Sequence, residues 1–194
     1  MRTRLMFCMV FALLGTLVAQ QGEGVIRIPL EKLELGRGAS LDDSVKVRET
    51  PSLKLSLDTP RLTARAEMEL ELDPEVDLYE LSFYMKAENI VSDAPDTHGA
   101  DVWLKPAKGG ALRFSTRGTY KSDSGSFDWK KASYKVNVKR YLKERPAKII
   151  LFLTYASGNV WFDQITLSPV NAKTQAQGQV QGGFSFGLFP MCQV

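Results

Sequence analysis

The sequence has little of the chemistry that most enzymes use. In 194 residues it contains one histidine, His98, and two cysteines, Cys8 and Cys192. It lacks the G-x-S-x-G motif of serine hydrolases, the C-x-x-C pair and a phosphate-binding loop, and its GRGAS stretch lacks the third glycine of a dinucleotide fingerprint. Acidic residues are numerous but form no distinctive pair for glycoside hydrolysis. These absences predict a protein that is not an enzyme.

The chain also lacks an apolar run of the roughly 20 residues that cross a bilayer. Its longest run, at 5–18, follows Arg2 and Arg4 and ends at small and polar residues, which is the pattern of a signal peptide. Residues 1–19 are therefore predicted to be removed, with no membrane span and a secreted or periplasmic mature protein. Cys192 would then be the only cysteine left, so no disulfide within the chain is expected.

Excess charge is small as well. The formal net charge of +3 falls to +1 when Arg2 and Arg4 leave with the signal peptide. Binding to the phosphate backbone depends on a clear surplus of Lys and Arg. The charge therefore predicts that nucleic acid is not a partner.

Short runs of β-branched and aromatic residues dominate the chain after the signal peptide, and clusters of Gly, Pro, Asp, Asn and Ser separate them. In ARAEMELELD, apolar and charged residues alternate, which is typical of a strand with one buried face and one solvated face. The pattern predicts an all-β fold over residues 22–170, an antiparallel β-sandwich of jelly-roll type. Strands are expected at 25–33, 52–57, 64–73, 78–87, 100–105, 111–116, 132–138, 147–155 and 160–167.

The composition changes after Pro169. Residues 171–194 are rich in Gln and Gly and end in a short apolar patch that includes Phe184, Phe186 and Met191. The first half is typical of a flexible linker. The patch indicates either a segment that docks on the domain or on a protein partner, or a frayed chain end.

Four stretches point to a known family. They are TPSLKLSL, YELSFYMKAENI, GSFDWKKASYKVNV and AKIILFLTYASGNVWFDQITL, the last of which predicts a hairpin around ASGN. Together, over residues 25–170, they resemble carbohydrate-binding modules with a galactose-binding-like jelly-roll fold. Such modules often accompany secreted glycanases. The resemblance implies the same fold and a glycan partner.

The resemblance also implies a structural calcium ion near the edge of the sandwich. Asp163 matches the family's aspartate ligand, and Glu31 is the nearest match to an acidic ligand from the first strand, with Glu34 as the alternative. Calcium takes six to eight oxygen ligands, so backbone carbonyls near Glu49 and Thr50 would complete the shell.

Two departures from the family pattern bear on the calcium ion. Gln164 stands where the family often has a second Asp, and Pro51 where it often has Gly. A second role is open to Asp163, which could accept hydrogen bonds from a turn. The residues also leave open whether Trp161, Asp163 and Ile165 face inward or Val160 and Phe162 do.

Alternation within strands selects the residues that would bind a sugar. If Leu81, Phe83 and Met85 face the core, the residues between them face outward, and the same reasoning applies to 100–105 and 111–116. Should these strands share a sheet, they would form one surface for stacking on pyranose rings and for hydrogen bonds to hydroxyls. The alternative is that the tail or the loop at 92–99 covers the rings. The predicted ligand-binding residues are Tyr84, Lys86, Asp101, Trp103 and Arg113.

Two functions follow from these patterns. The first is a secreted, non-catalytic protein that binds a polysaccharide, a β-glycan, on one sheet face through stacking aromatic side chains. The alternative is an extracellular structural or adhesive protein that uses the same sandwich for protein–protein assembly, since a fold does not determine a function.

Overall fold

The computed structural model describes residues 24–106, 109–141 and 147–170. The predicted signal peptide and the tail at 171–194 lie outside the described residues. Two antiparallel sheets pack face to face, so the predicted all-β jelly-roll sandwich is confirmed. Within the described ranges, no helix is both long and apolar enough to cross a membrane.

Helical structure in the described part of the chain amounts to a 3₁₀ turn at Leu30–Lys32 and one α-helical turn, α1, at Val138–Tyr141. The rest of the regular structure is strand. In chain order the strands are β1 (Ile26–Arg27), β2 (Glu34–Leu35), β3 (Ala39–Asp42), β4 (Ser52–Leu57), β5 (Thr63–Leu70), β6 (Leu78–Val91), β7 (Gly99–Pro106), β8 (Leu112–Ser115), β9 (Gly118–Thr119), β10 (Gly125–Asn137), β11 (Ala147–Thr154) and β12 (Ser157–Pro169).

The strands divide into two sheets. Sheet A has the order β10-β6-β12-β4-β3, and β1 also pairs with β12. Sheet B has the order β2-β5-β11-β7-β8-β9. The strand predicted at 25–33 is mostly wrong, because Pro29 ends the two-residue pairing of β1 and a 3₁₀ turn follows.

The core lies between the sheets and is built by alternation along each strand. In β6 the side chains of Leu81, Phe83 and Met85 are fully buried, as their spacing predicted. Val102 and Leu104 of β7 face the same core. Burying such apolar surface contributes roughly 25 cal/mol per Å² and is the main stabilising term of the sandwich.

Strands that follow each other in the chain often lie in opposite sheets. The hairpin predicted around ASGN is wrong, because β11 pairs with β5 and β7 whereas β12 pairs with β6 and β4. Gly158 has another role here. Its φ is 117°, and a Cβ at this position would collide with the backbone carbonyl oxygen of Asn89 in β6. The glycine therefore permits a close approach of two strands.

A bulge in β12 determines which side chains face the core. Gln164 adopts φ 48°, and the register with β6 shifts between Asp163 and Thr166. Because the bulge adds a residue, the alternation changes phase at this point. Ile165 therefore joins Phe162 in the core, while Trp161 and Asp163 lie on the outer side of sheet A.

Candidate functional site

The outer face of sheet B carries a pair of aromatic rings. Trp103 of β7 and Phe152 of β11 are half-buried, and their ring centroids lie 4.5 Å apart. The guanidinium of Arg113, which pairs with Trp103 across β7 and β8, lies 5.2 Å from the indole centroid. Such cation–π contacts contribute about 0.5–2 kcal/mol and hold the cation against the ring. We call the outward residues Asp101, Trp103, Arg113, Phe152 and Thr154 the aromatic face.

Unpartnered polar atoms are concentrated on the aromatic face. Among the described residues, four buried side-chain nitrogen or oxygen atoms have no hydrogen-bond partner, and all four belong to this face. Leaving such an atom unsatisfied costs about 1–3 kcal/mol, so the polar groups beneath the rings are not fully satisfied by the protein. The atoms are Asp101 Oδ1, Trp103 Nε1, Arg113 Nε and Thr154 Oγ1.

Asp101 lies beneath the surface of the face. Its side chain is fully buried, and its Oδ2 accepts hydrogen bonds from Arg113 at 2.7 Å and from Ser122 at 3.0 Å. Burial raises the pKa of Asp101, although Arg113 and Ser122 act in the opposite direction. Asp101 therefore positions Arg113, and in this structure no ligand could touch it directly.

The segment at 92–98, which joins β6 to β7, borders the face. Arg113 donates to the backbone oxygen of Thr97 at 2.9 Å, and Arg117 donates to Asp96 at 2.7 Å. The ring of His98 lies 5.0 Å from that of Tyr155, and its Nδ1 is 3.2 Å from Asp93. These contacts fix the segment beside the aromatic rings, so it forms a side wall.

The charges around the aromatic face pair with one another. Lys148 lies 3.1 Å from Glu67 and 3.9 Å from Glu69, and Arg65 lies 4.0 Å from Glu67. Exposed pairs of this kind contribute little to stability. They do leave the surroundings of the two rings nearly neutral.

Two of the predicted ligand-binding residues lie elsewhere. Tyr84 and Lys86 face outward, as alternation predicted, but β6 belongs to sheet A. The premise that they share a surface with Trp103 and Arg113 is therefore wrong. Alternation identifies the outward face of each strand but not the sheet that the strand joins.

Tyr84 instead lies in a cleft of about 900 Å³ on the outer face of sheet A. The same cleft is lined by the three residues predicted to bind metal, namely Glu31, Glu49 and Asp163. Asp163 is buried, and its two oxygens accept hydrogen bonds from the backbone N–H of Val47 at 2.8 Å and of Gln164 at 2.7 Å.

The cleft does not gather a cluster of acidic side chains around one point. No group of three His, Cys, Asp or Glu side chains in the described ranges could hold a metal ion. Arg27, Arg48 and Lys131 also line the cleft, and their positive charges oppose a divalent cation. The residues as placed do not fit the ion, and calcium binding stays a prediction.

Trp161 and Asp163 hold the loop at 43–51 against sheet A. Trp161 is only 3% exposed, and its Nε1 donates to Asp42 Oδ2 at 2.8 Å. Lys54 lies over the indole at 5.1 Å. The hydroxyl of Ser44 and the Trp161 indole both lower the pKa of Asp42. The Trp-Phe-Asp stretch thus places Phe162 in the core and two polar anchors under the loop.

Sequence reasoning missed Phe152 and Thr154. The run AKIILFLT is apolar on both faces, so its alternation is hard to see. Leu151 and Leu153 are fully buried, and this places Phe152 and Thr154 on the opposite face. The β-branched and aromatic residues of this run were the available signal that it forms a strand.

Several solved structures are similar to this fold. A family 16 carbohydrate-binding module is 18% identical, with a TM-score of 0.44, and the match covers 68% of this chain and 86% of that one. A family 30 module of a cellulosomal cellulase from Clostridium thermocellum is 15% identical, at TM-score 0.45, covering 72% and 87%. The CBM22-1 xylan-binding domain of Xyn10C from Paenibacillus barcinonensis is 13% identical, at TM-score 0.43, covering 78% and 88%.

These similarities concern the fold alone. The three structures are 13–18% identical to this chain. No protein-family model matches the chain, and no curated protein matches it.

Proposed function

We propose that the protein is a secreted, non-catalytic carbohydrate-binding protein that holds a neutral polysaccharide on the aromatic face. One observation carries the proposal: two half-buried rings in tilted contact lie outward on a sheet, and the guanidinium of Arg113 lies over one of them. The apolar C–H face of a pyranose ring stacks on such rings, while its hydroxyls both donate and accept hydrogen bonds.

The charge pairing around the rings favours a neutral ligand. Lys148 and Arg65 are compensated by Glu67 and Glu69, and the carboxylate of Asp101 is compensated by Arg113. In the part of the chain that the structure describes, an acidic chain would find no free cation beside the rings other than the exposed Lys105. Hydroxyl groups carry no charge, and they both donate and accept hydrogen bonds, so a neutral chain needs no free cation there.

Non-catalysis is part of the proposal. His98, the one histidine of the chain, lies in the segment at 92–98 with Asp93 as its hydrogen-bond partner and Tyr155 against its ring. This arrangement restrains the segment beside the face. Calcium binding and a protein partner for the tail remain predictions on which the proposal does not depend.

Affinity for a short oligosaccharide should be weak. A ring contact contributes about 0.5–1.5 kcal/mol beyond the area it buries, and ordering the ligand offsets part of the gain. Dissociation constants from about micromolar to millimolar are expected.

The test is electrophoresis in native gels that contain xylan, β-glucan or mannan, together with tryptophan emission during titration of the soluble oligosaccharides. Trp103→Ala should weaken retention by about fivefold or more, because it removes a stacking ring worth about 1 kcal/mol. Trp129→Ala is the matched control, since Trp129 is a half-buried tryptophan on β10 of the other sheet.

If polysaccharide retards the wild type and Trp103→Ala equally, the aromatic face is not the binding surface. If no polysaccharide retards the wild type or shifts its emission, the carbohydrate proposal fails. The adhesive function would then be the one to pursue.

A further inference from the structure

The cleft on sheet A exists because β12 is left unpaired at one point of its edge. On that edge β4 pairs with β12 through Phe162, and β1 begins to pair at Thr166. Ile28, which follows β1, still donates its N–H to the carbonyl oxygen of Ile165, so only residues 163 and 164 lie between the two partners, and the bulge at Gln164 is centred there. The resulting cleft of about 900 Å³ is within the range of small-molecule sites.

Pairing across the strands shows how the floor of the cleft is laid out. In one row, Lys131 of β10 lies opposite Tyr84 of β6, which lies opposite Asp163 of β12. In the adjacent row, Arg27 of β1 lies opposite Thr166, which bonds through its hydroxyl to Ser82 at 3.0 Å. A half-buried phenol ring and two hydroxyls thus lie between two cationic side chains.

The cations of the cleft lack protein partners. Within the described residues, no ion pair joins Arg27, Arg48 or Lys131 to a carboxylate. Asp163 also lines the cleft, but its two oxygens accept hydrogen bonds from backbone N–H groups and form no ion pair with these cations. Two exposed acids, Glu31 and Glu49, line the wall formed by the segments after β1 and before β4.

We propose that this cleft binds an acidic saccharide, in place of the calcium ion that the sequence suggested. Arg27 and Lys131 are three strands apart, about 14 Å between backbones at the usual spacing, so their long side chains reach a ligand of two or three sugar units. A uronic-acid chain carries one carboxylate per unit and pairs with both cations, while a pyranose face covers Tyr84. The site is separate from the aromatic face and does not depend on it.

The tyrosine ring and the hydroxyl floor favour a saccharide over an acidic peptide. The C–H face of a pyranose would stack on the ring of Tyr84, and its hydroxyls would meet the hydroxyls of Ser82 and Thr166. Gln164 adds an amide on the cleft wall. An acidic peptide would satisfy the cations only.

The experiment titrates a trimer of galacturonic acid into the full chain and follows binding by calorimetry at low salt. Lys131→Ala should weaken binding at least fivefold, and Lys131→Arg should retain it. Lys135→Ala is the matched control, because Lys135 is exposed on the same face of β10 but does not line the cleft. Glu31→Gln should tighten binding about twofold or more, since it removes a repelling carboxylate.

Three comparisons can overturn the proposal. Equal binding of a neutral galactose trimer would show that the cations are not used, and equal binding of a hexaglutamate peptide would show that charge alone is recognised. Lys131→Ala binding as tightly as Lys135→Ala would remove the site. Trp103→Ala should leave binding of the galacturonic acid trimer unchanged. A failure of the cleft proposal can therefore be told apart from a failure of the aromatic-face proposal.

Discussion

Replacing Asp163 by alanine should destabilise the sandwich through two backbone groups. The carboxylate is 1% exposed and accepts the N–H of Val47 and of Gln164. A buried donor left without its acceptor costs about 1–3 kcal/mol, and both of these hydrogen bonds are only part-buried, so the loss should be about 2–4 kcal/mol. In a domain of this size each kcal/mol lowers Tm by about 2–4 °C, which gives a fall of roughly 5–15 °C.

Thermal unfolding followed by circular dichroism tests this expectation. Asp163→Asn keeps one carbonyl oxygen as an acceptor and should lose about half as much. Asp43→Ala is the control, because Asp43 is exposed in the same loop. A Tm for Asp163→Ala within about 1 °C of wild type would refute the reasoning. A deficit that appears in calcium and disappears in chelator would show that Asp163 acts through an ion instead.

Three further expectations concern the same sheet. Gly158→Ala should cost about 2 kcal/mol or more, because its Cβ meets the Asn89 carbonyl at positive φ, and a urea midpoint equal to wild type would contradict this. The pKa of Asp42 is lowered, chiefly by Ser44 and then by Trp161, so its stabilising contribution is present above about pH 4 and is lost as pH falls through the folded pKa. Urea midpoints between about pH 2 and pH 7 should therefore fall less steeply in Asp42→Asn, and equal slopes would exclude this role. Calcium added to metal-free protein tests the calcium prediction: a rise in Tm that chelator reverses would support it, and an unchanged Tm would exclude it.

Alternation predicted the inward side of the long strands well. Leu81, Phe83 and Met85 of β6 are separated by residues that tolerate water, and the period of two assigns them to one face without further information. The jelly-roll class could be predicted for the same reason, because many short alternating runs have few ways to bury their apolar faces.

The sheet that each strand joins could not be predicted in this way. Alternation predicts for both Tyr84 and Trp103 that the ring points outward from a strand with one buried face. Their separation depends on long-range pairing, in which β6 lies between β10 and β12 while β7 lies beside β11. The segment at 92–98 passes from one sheet to the other, and nothing in its composition distinguishes such a crossing from a hairpin.

The bulge in β12 shows how one backbone angle decides what a face can do. A non-glycine residue rarely adopts positive φ, so Gln164 gave no signal that the register would shift there. Without the shift, Ile165 would face outward with Asp163, and the floor of the cleft would be apolar. With it, Ile165 enters the core, Thr166 faces the cleft beside Ser82 of β6, and the gap between β1 and β4 becomes polar. The second proposed site therefore depends on a local geometry that the pattern of residues alone does not encode.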